Sequence, residues 1–250
     1  MSAFDPIKTL LARYHALQHH QDPALAARLI DVQAWQKQRM EHTHHVLFAE
    51  PKNQLIAAYF LNRLYGGPDF AILAEQFERV LTKTSKLEGF APASAVRTGT
   101  LGIELAVMAI ELDEALALLL TDTLNHHGPL NDAVMLEAYH RANQQDARIH
   151  QMELLDELGH SLDKYVRSIM IQSAFKMAKG TAYKHNFAPM YDFTAEGFAA
   201  MKPLKSAGDF IAVFTQAERD TVHRVHSHDP DPFLRQSTQT ATTITETPAL

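Results

Sequence analysis

The sequence contains no cysteine, which excludes disulfides, thiolate metal ligands and thiol nucleophiles, though it selects no compartment. A surplus of basic charge is also missing. The net charge of −6 argues against a nucleic-acid partner, which selects for a basic face. No stretch alternates apolar and polar residues as a half-buried strand does, and no repeat of fixed period suggests a solenoid. There is no Walker-type glycine loop, no Gly-x-Gly-x-x-Gly after a strand, no Gly-x-Ser-x-Gly elbow and no His-Glu-x-x-His. Ser161 and Ser173 have no evident base to activate them. The opening residues Met1 to Pro6 lack a basic region followed by an apolar run, so no secretory signal is expected and the expected location is cytoplasmic. Leu101 to Leu120 is the most apolar stretch and, at about 1.5 Å per residue, is long enough to cross a bilayer. It carries Glu104, Glu111, Asp113 and Glu114, however, and carboxylates are costly in lipid. It reads as a buried central helix, with no membrane span.

What is present is helical periodicity. Asp22-Pro23 is a start signal, with Asp as the cap and Pro in the first turn, and the helix it opens is expected to run to about Phe48. Asp69 is placed to cap another helix with Phe70, Leu73, Phe77, Val80 and Leu81 inward, and Asn131 or Asp132 to cap one through Tyr139. Gly66-Gly67-Pro68, Gly89 to Pro92 and His127-Gly128-Pro129 read as breaks. Asp146 to Lys179 reads as helical with an interruption at Gly159 and an end at Gly180, followed by helices over Thr194 to Met201 and Ala207 to His226. Short connections favour one compact domain of antiparallel helices. The expectation is an all-α, single-domain bundle of about eight or nine helices over residues 1–228. Residues 229–250 turn to Thr, Gln, Ser and Pro, and are expected to form a disordered tail that cannot offset its ordering entropy.

Charge is uneven along the chain. Leu101 to Tyr165 carries −9, and no Lys or Arg lies between Arg97 and Arg141. This acidic middle either packs beside the more basic flanks or presents a negative face to a cation or basic partner.

One run carries a resemblance. Ala57-Ala58-Tyr59-Phe60-Leu61-Asn62-Arg63-Leu64-Tyr65-Gly66, followed by Asp69-Phe70, reads as a short, deeply packed helix with Phe60, Leu61 and Leu64 buried and Tyr65 at the turn. It resembles the FFLEELY-motif proteins, a bacterial family of roughly this length. Trp35-Gln36 with Arg39 and Thr43 is similar to that family's Trp-Gln helix, and Tyr139, Arg148, Gln151 and Gly159 fall where it places similar residues. Ala174 to Met201, with Gly180, Gly197 and Phe198, is similar to its C-terminal helical region, so the resemblance covers about Leu29 to Val225. Asn62 and Arg63 stand where the name-giving motif has two glutamates. The resemblance implies an all-helical fold and no particular activity.

Candidate chemistry centres on histidine, at fifteen residues. Glu and His three apart share one helix face, as di-iron carboxylate bundles require. The pattern occurs as Glu41/His44, Glu137/His140 and Glu157/His160. The metal candidates are Glu137, His140, Glu157 and His160, with Glu104, Glu111 or Glu41 completing a site. Exposed polar faces of amphipathic helices are the simpler expectation for the same residues, since the acidic middle has almost no basic residues to neutralise several buried carboxylates, and they are not expected to converge. His19-His20, the group His42, His44 and His45, and the group His223, His226 and His228 have zinc-chelating spacing, but the last also suits a helix C-terminus. Glu153, Asp156 and Glu157 form a run that reads as a solvated face. The C-terminal third is rich in Met and Phe, among them Met170, Phe175, Met177, Met190, Phe193, Phe198 and Met201. These read first as core, and second as a groove for an acyl chain or a partner helix. The leading expectation is a binding or adaptor module with an apolar groove between helices, taking a protein or an apolar small molecule. The alternative is a metal-dependent oxidoreductase on a ferritin-like or haem-oxygenase-like scaffold. Cofactor, catalytic residues and oligomeric state are not specified by these patterns.

Overall fold

The computed structural model describes residues 4–66, 69–82 and 93–233, and every regular element among them is helical. The α-helices in chain order are α1 (Asp5–His15), α2 (Pro23–Thr43), α3 (His45–Ala49), α4 (Gln54–Tyr59), α5 (Asp69–Leu81), α6 (Ala93–Leu118), α7 (Asp132–Ala142), α8 (Gln145–Arg167), α9 (Ile169–Lys184), α10 (Ala188–Met201) and α11 (Ala207–His226). Two π-helical segments, Phe60–Leu64 and Leu119–Thr123, extend α4 and α6.

Start signals act as the sequence suggests. Asp22 Oδ1 accepts from the Ala24 and Leu25 amides at 2.9 and 3.1 Å, and Asn131 Oδ1 accepts from Val134 N at 3.0 Å. The eleven α-helices exceed the expected eight or nine because long periodic stretches are cut. The helix expected to reach Phe48 breaks at His44, where the buried imidazole turns toward α11. The stretch after Asp146 breaks at Ser168, whose Oγ accepts from Ile171 N at 3.3 Å and starts α9. Gly159 does not interrupt α8. A Cβ there would lie 2.8 Å from Ile211 Cδ1, so the missing side chain lets α8 and α11 pack closely. Gly180 lies within α9 and does not end it. The breaks expected at Gly67-Pro68 and Gly89 to Pro92 lie outside the described residues.

The central helix is α6, apolar on most of its circumference as a helix surrounded by others must be. It packs against α1, α2, α7 and α8. Among the described residues no helix is long and apolar enough to cross a membrane. The tightest part of the interior lies where α2, α7 and the C-terminal half of α6 meet, with Val32, Leu116, Leu120 and Met135 inaccessible to solvent. Arg28 on α2 closes this end by donating to the carbonyls of His126 and Gly128 (3.1 Å for the latter). Packing here continues past the boundary expected at His228. Phe233 is buried, with its ring 5.1 Å from Trp35 and 5.9 Å from Tyr139. Residues 234–250 of the expected tail lie outside the described residues.

Part of the acidic middle segment is matched by arginines from its flanks. Glu111 takes a two-pronged contact from Arg13 on α1 at 3.0 and 2.6 Å, Glu157 pairs with Arg97, and Asp156 with Arg219. Asp113 and Glu114 are buried rather than exposed. Glu114 accepts from the backbone amides of Gln18 and His19 at 3.1 and 2.9 Å and from the His19 ring at 2.5 Å, so partners distant in sequence satisfy it.

Candidate functional site: a cavity with a polar end

The aromatic run does not form the solid core expected of it. Leu61 is buried, but Phe60 is half-buried and Leu64 is 44% exposed. The reason is local. From Phe60 the helix changes to π bonding, with Tyr65 N donating to the carbonyl of Phe60 at 2.9 Å. Such segments recur at functional sites. Phe60 and Leu64 form part of the wall of two adjacent internal spaces.

The larger space, about 320 Å³, is lined by α4, α5, α6, α8, α10 and α11. Its walls are almost wholly apolar, with Phe70, Leu73, Phe77, Leu158, Phe193 and Phe198 among them. The floor is the N-terminal half of α6. Gly99 and Gly102 face it, and a Cβ at either would meet nothing within 4 Å. The opposite wall is pinned by Tyr59, whose hydroxyl donates to Phe193 O at 2.9 Å and sits where a Cβ on Gly197 would come within 3.0 Å. Burial pushes that hydroxyl's pKa well up, so it remains a donor. At the rim, Arg63 pairs with Glu196 on α10 at 3.0 Å and lies 3.5 Å from Asp69 on α5.

The second space, about 170 Å³, lies alongside and shares Phe60, Leu64, Gly102, Ala106, Leu155, Leu158 and Phe214 with the first. Its other end is polar, lined by Gln36, Arg39, Tyr65, Asp113, Arg148, Gln151 and Glu218. These residues arrive from α2, α6, α8, α11 and the end of the π segment. Asp113 accepts from Tyr65 Oη at 2.5 Å and from Gln36 Nε2 at 3.4 Å, while Gln36 Nε2 also contacts the Tyr139 hydroxyl. Glu218 accepts from Arg39 Nη1 and lies 2.6 Å from His44 Nε2, whose ring stacks on Phe214 at 4.2 Å. Arg148 lies 4.6 Å over the Tyr139 ring and donates to Gln144 Oε1 at 2.9 Å.

The two buried carboxylates behave oppositely. Burial raises the Asp113 pKa, against the pull of Arg148, Tyr65 and Gln36. Burial pushes Glu218 up as well, but the Arg39 guanidinium and the His44 bond more than offset it and hold the pKa at about 2. Burial, and then the charge of Asp113, push the Tyr65 hydroxyl well above its ordinary value. The arrangement is a set of fixed charges and donors at one end of an apolar chamber. It can orient the polar end of a guest.

The metal candidates are placed elsewhere. Glu137 is on the surface of α7, paired with Arg141 at 2.6 Å. His140 Nε2 lies 2.8 Å from the carbonyl of Val225. Glu157 pairs with Arg97, and the exposed His160 bonds its own helix at Asp156 O, 2.7 Å away. These four are not brought together. Glu41 is exposed and Glu104 half-buried, while Glu111 serves Arg13. Among the described residues no group of three or more His, Asp or Glu has a geometry that would hold a metal ion. The polar cluster itself was not assembled by spacing arguments. Gln36, Arg39, Tyr139, Arg148 and Gln151 stand out in sequence only through the resemblance. Asp113 and Glu218 carry no sequence signal beyond a carboxylate beside apolar neighbours.

A model for a domain of unknown function, DUF8198, matches residues 15–232. No curated protein and no solved structure matches the chain.

Proposed function

The chain belongs to the DUF8198 family, and on that premise we propose that it is a binding protein that holds an apolar small molecule in the chamber between α4, α6, α8 and α10. One observation carries the reading: an apolar-walled cavity of about 320 Å³ in a fold whose other end is closely packed. Empty apolar space is costly, because its lining forgoes both burial and dispersion contacts. This volume falls within the roughly 300–1,000 Å³ of ligand pockets. The resemblance to the FFLEELY-motif proteins belongs to the same proposal. Tyr59, Phe60, Leu64 and Tyr65, which carry it, are the residues that wall the chamber and reach its polar end. In this reading the motif is a binding-wall motif.

The test is a titration of the full chain, stripped of bound lipid, with hexadecanol in competition against an environment-sensitive fluorescent probe. Saturable one-to-one displacement is expected, and it should be lost in Gly102→Leu, where the added side chain enters the shared wall. Absence of saturable binding in the unaltered chain would sink the proposal.

A further inference from the structure

The chamber reading leaves one buried side chain without a role. Arg148 on α8 is only 9% exposed and lines the 170 Å³ space. One of its terminal nitrogens reaches Gln144, and its plane covers Tyr139. Its Nε has no hydrogen-bond partner. Among the described residues no carboxylate comes within ion-pair distance of it. The two nearby acids are committed, Glu218 to Arg39 and His44, Asp113 to Tyr65 and Gln36. Asp113 acts on Arg148 only through space, and a buried guanidinium with no carboxylate in ion-pair contact is expensive. Its planar fork matches the two oxygens of a carboxylate.

Resting on the chamber reading, we infer that the guest is a long-chain carboxylate, its head group held by Arg148 with Gln151 beside it and its chain running between Phe60 and Ala106 into the larger cavity. The two spaces are adjacent, with Phe60, Leu64, Gly102, Ala106, Leu155 and Phe214 among the residues lining both, and in this reading a single chain runs from one to the other. Gly102 and Ala106 contribute to both, and no large side chain of α6 stands at those positions. Charge sets the head group. Glu218 keeps its pKa near 2 and is ionised at neutral pH, and Asp113 lies on the same lining. A doubly charged phosphate would face both acids across a low-dielectric space, whereas a carboxylate brings one charge to the guanidinium.

The experiment compares hexadecanoate, hexadecanol and hexadecyl phosphate on the full, lipid-stripped chain by calorimetry and native mass spectrometry. Hexadecanoate should bind one to one and at least about tenfold more tightly than either of the others, the scale of one hydrogen-bonded charge contact. Arg148→Gln should abolish the acid's advantage over the alcohol, while Arg148→Lys restores part of the difference. Equal affinity for acid and alcohol overturns this inference and leaves the chamber reading standing. Tighter binding of the phosphate overturns the head-group assignment. No binding by any of the three overturns both. The acid-to-alcohol ratio is measured on the unaltered chain, so the result holds even if the Arg148 variants do not fold.

Discussion

The two halves of α6 show how one apolar helix supports opposite kinds of interior. Its C-terminal half carries Leu112, Leu116 and Ala117, leads into Leu120, and meets Val32 and Met135 with no access left for solvent. Its N-terminal half and middle are filled on one side, where Ile103 and Val107 pack against α1 and Ala74 of α5. On the other side it presents Gly99, Gly102, Ala106 and Ala109 to the two cavities. Facing them are rings from α4, α5, α10 and α11 and leucines from α8 that do not reach across. Both halves are apolar. The difference lies in where along the helix the side chains are large, and on which face. Hydrophobic content drives burial, but the distribution of volume decides whether burial leaves a solid core or a chamber.

A direct way to break this contrast is a pair of truncations. Leu116→Ala, in the solid half, should cost about 3–5 kcal/mol through lost burial and a new cavity. Phe60→Ala, at the chamber wall, should cost less than half of that, because it enlarges an existing space. Denaturant melts of both proteins measure the pair, and equal losses would mean that the chamber collapses onto Phe60. The polar end can be probed by acid. Glu218 has a folded pKa of about 2 against an ordinary 4.5, so between these values the unfolded chain binds the extra proton. Stability from this group is therefore complete above about pH 4.5 and is lost as pH falls toward 2, a change on the order of 3 kcal/mol. Urea midpoints measured across that window should fall less steeply in Glu218→Gln. An unchanged slope would remove the Arg39–Glu218 pair from the account.

The solid end extends to Phe233, so a chain ending at His228 should lose about 2 kcal/mol, the worth of one buried Phe. One ending at Phe233 should retain that contribution, and thermal melts of the two truncations compare them directly. The smallest effect has the opposite sign. Gly102→Ala removes backbone freedom from the unfolded chain and adds a methyl where nothing lies within 4 Å. It should stabilise the protein by about 0.5–1 kcal/mol. Destabilisation would show that the space at Gly102 is already filled in solution.

Much of the architecture could be read from local signals. Asp22-Pro23 and Asn131 start helices through side-chain bonds to amides two or three residues on, and such bonds depend only on neighbours. The central position of α6 follows from its nearly unbroken apolar circumference. The histidine spacings alone place no site, because three-residue periodicity puts two side chains on one face without saying what that face meets. Glu137 and Glu157 meet solvent and an arginine instead of each other. His44 met its partner through a break in the helix that periodicity did not reveal.

The sequence by itself determined that this chain is helical, where most helices begin and which residues are apolar, since those properties depend on side chains a few positions apart. Tertiary structure alone decided that Asp113, Arg148 and Glu218 share one polar end, and that Phe60 borders a space on one side while its ring meets Phe214. Those outcomes depend on the separation between helices far apart in the chain, and that separation is set by side-chain volumes meeting across the gap.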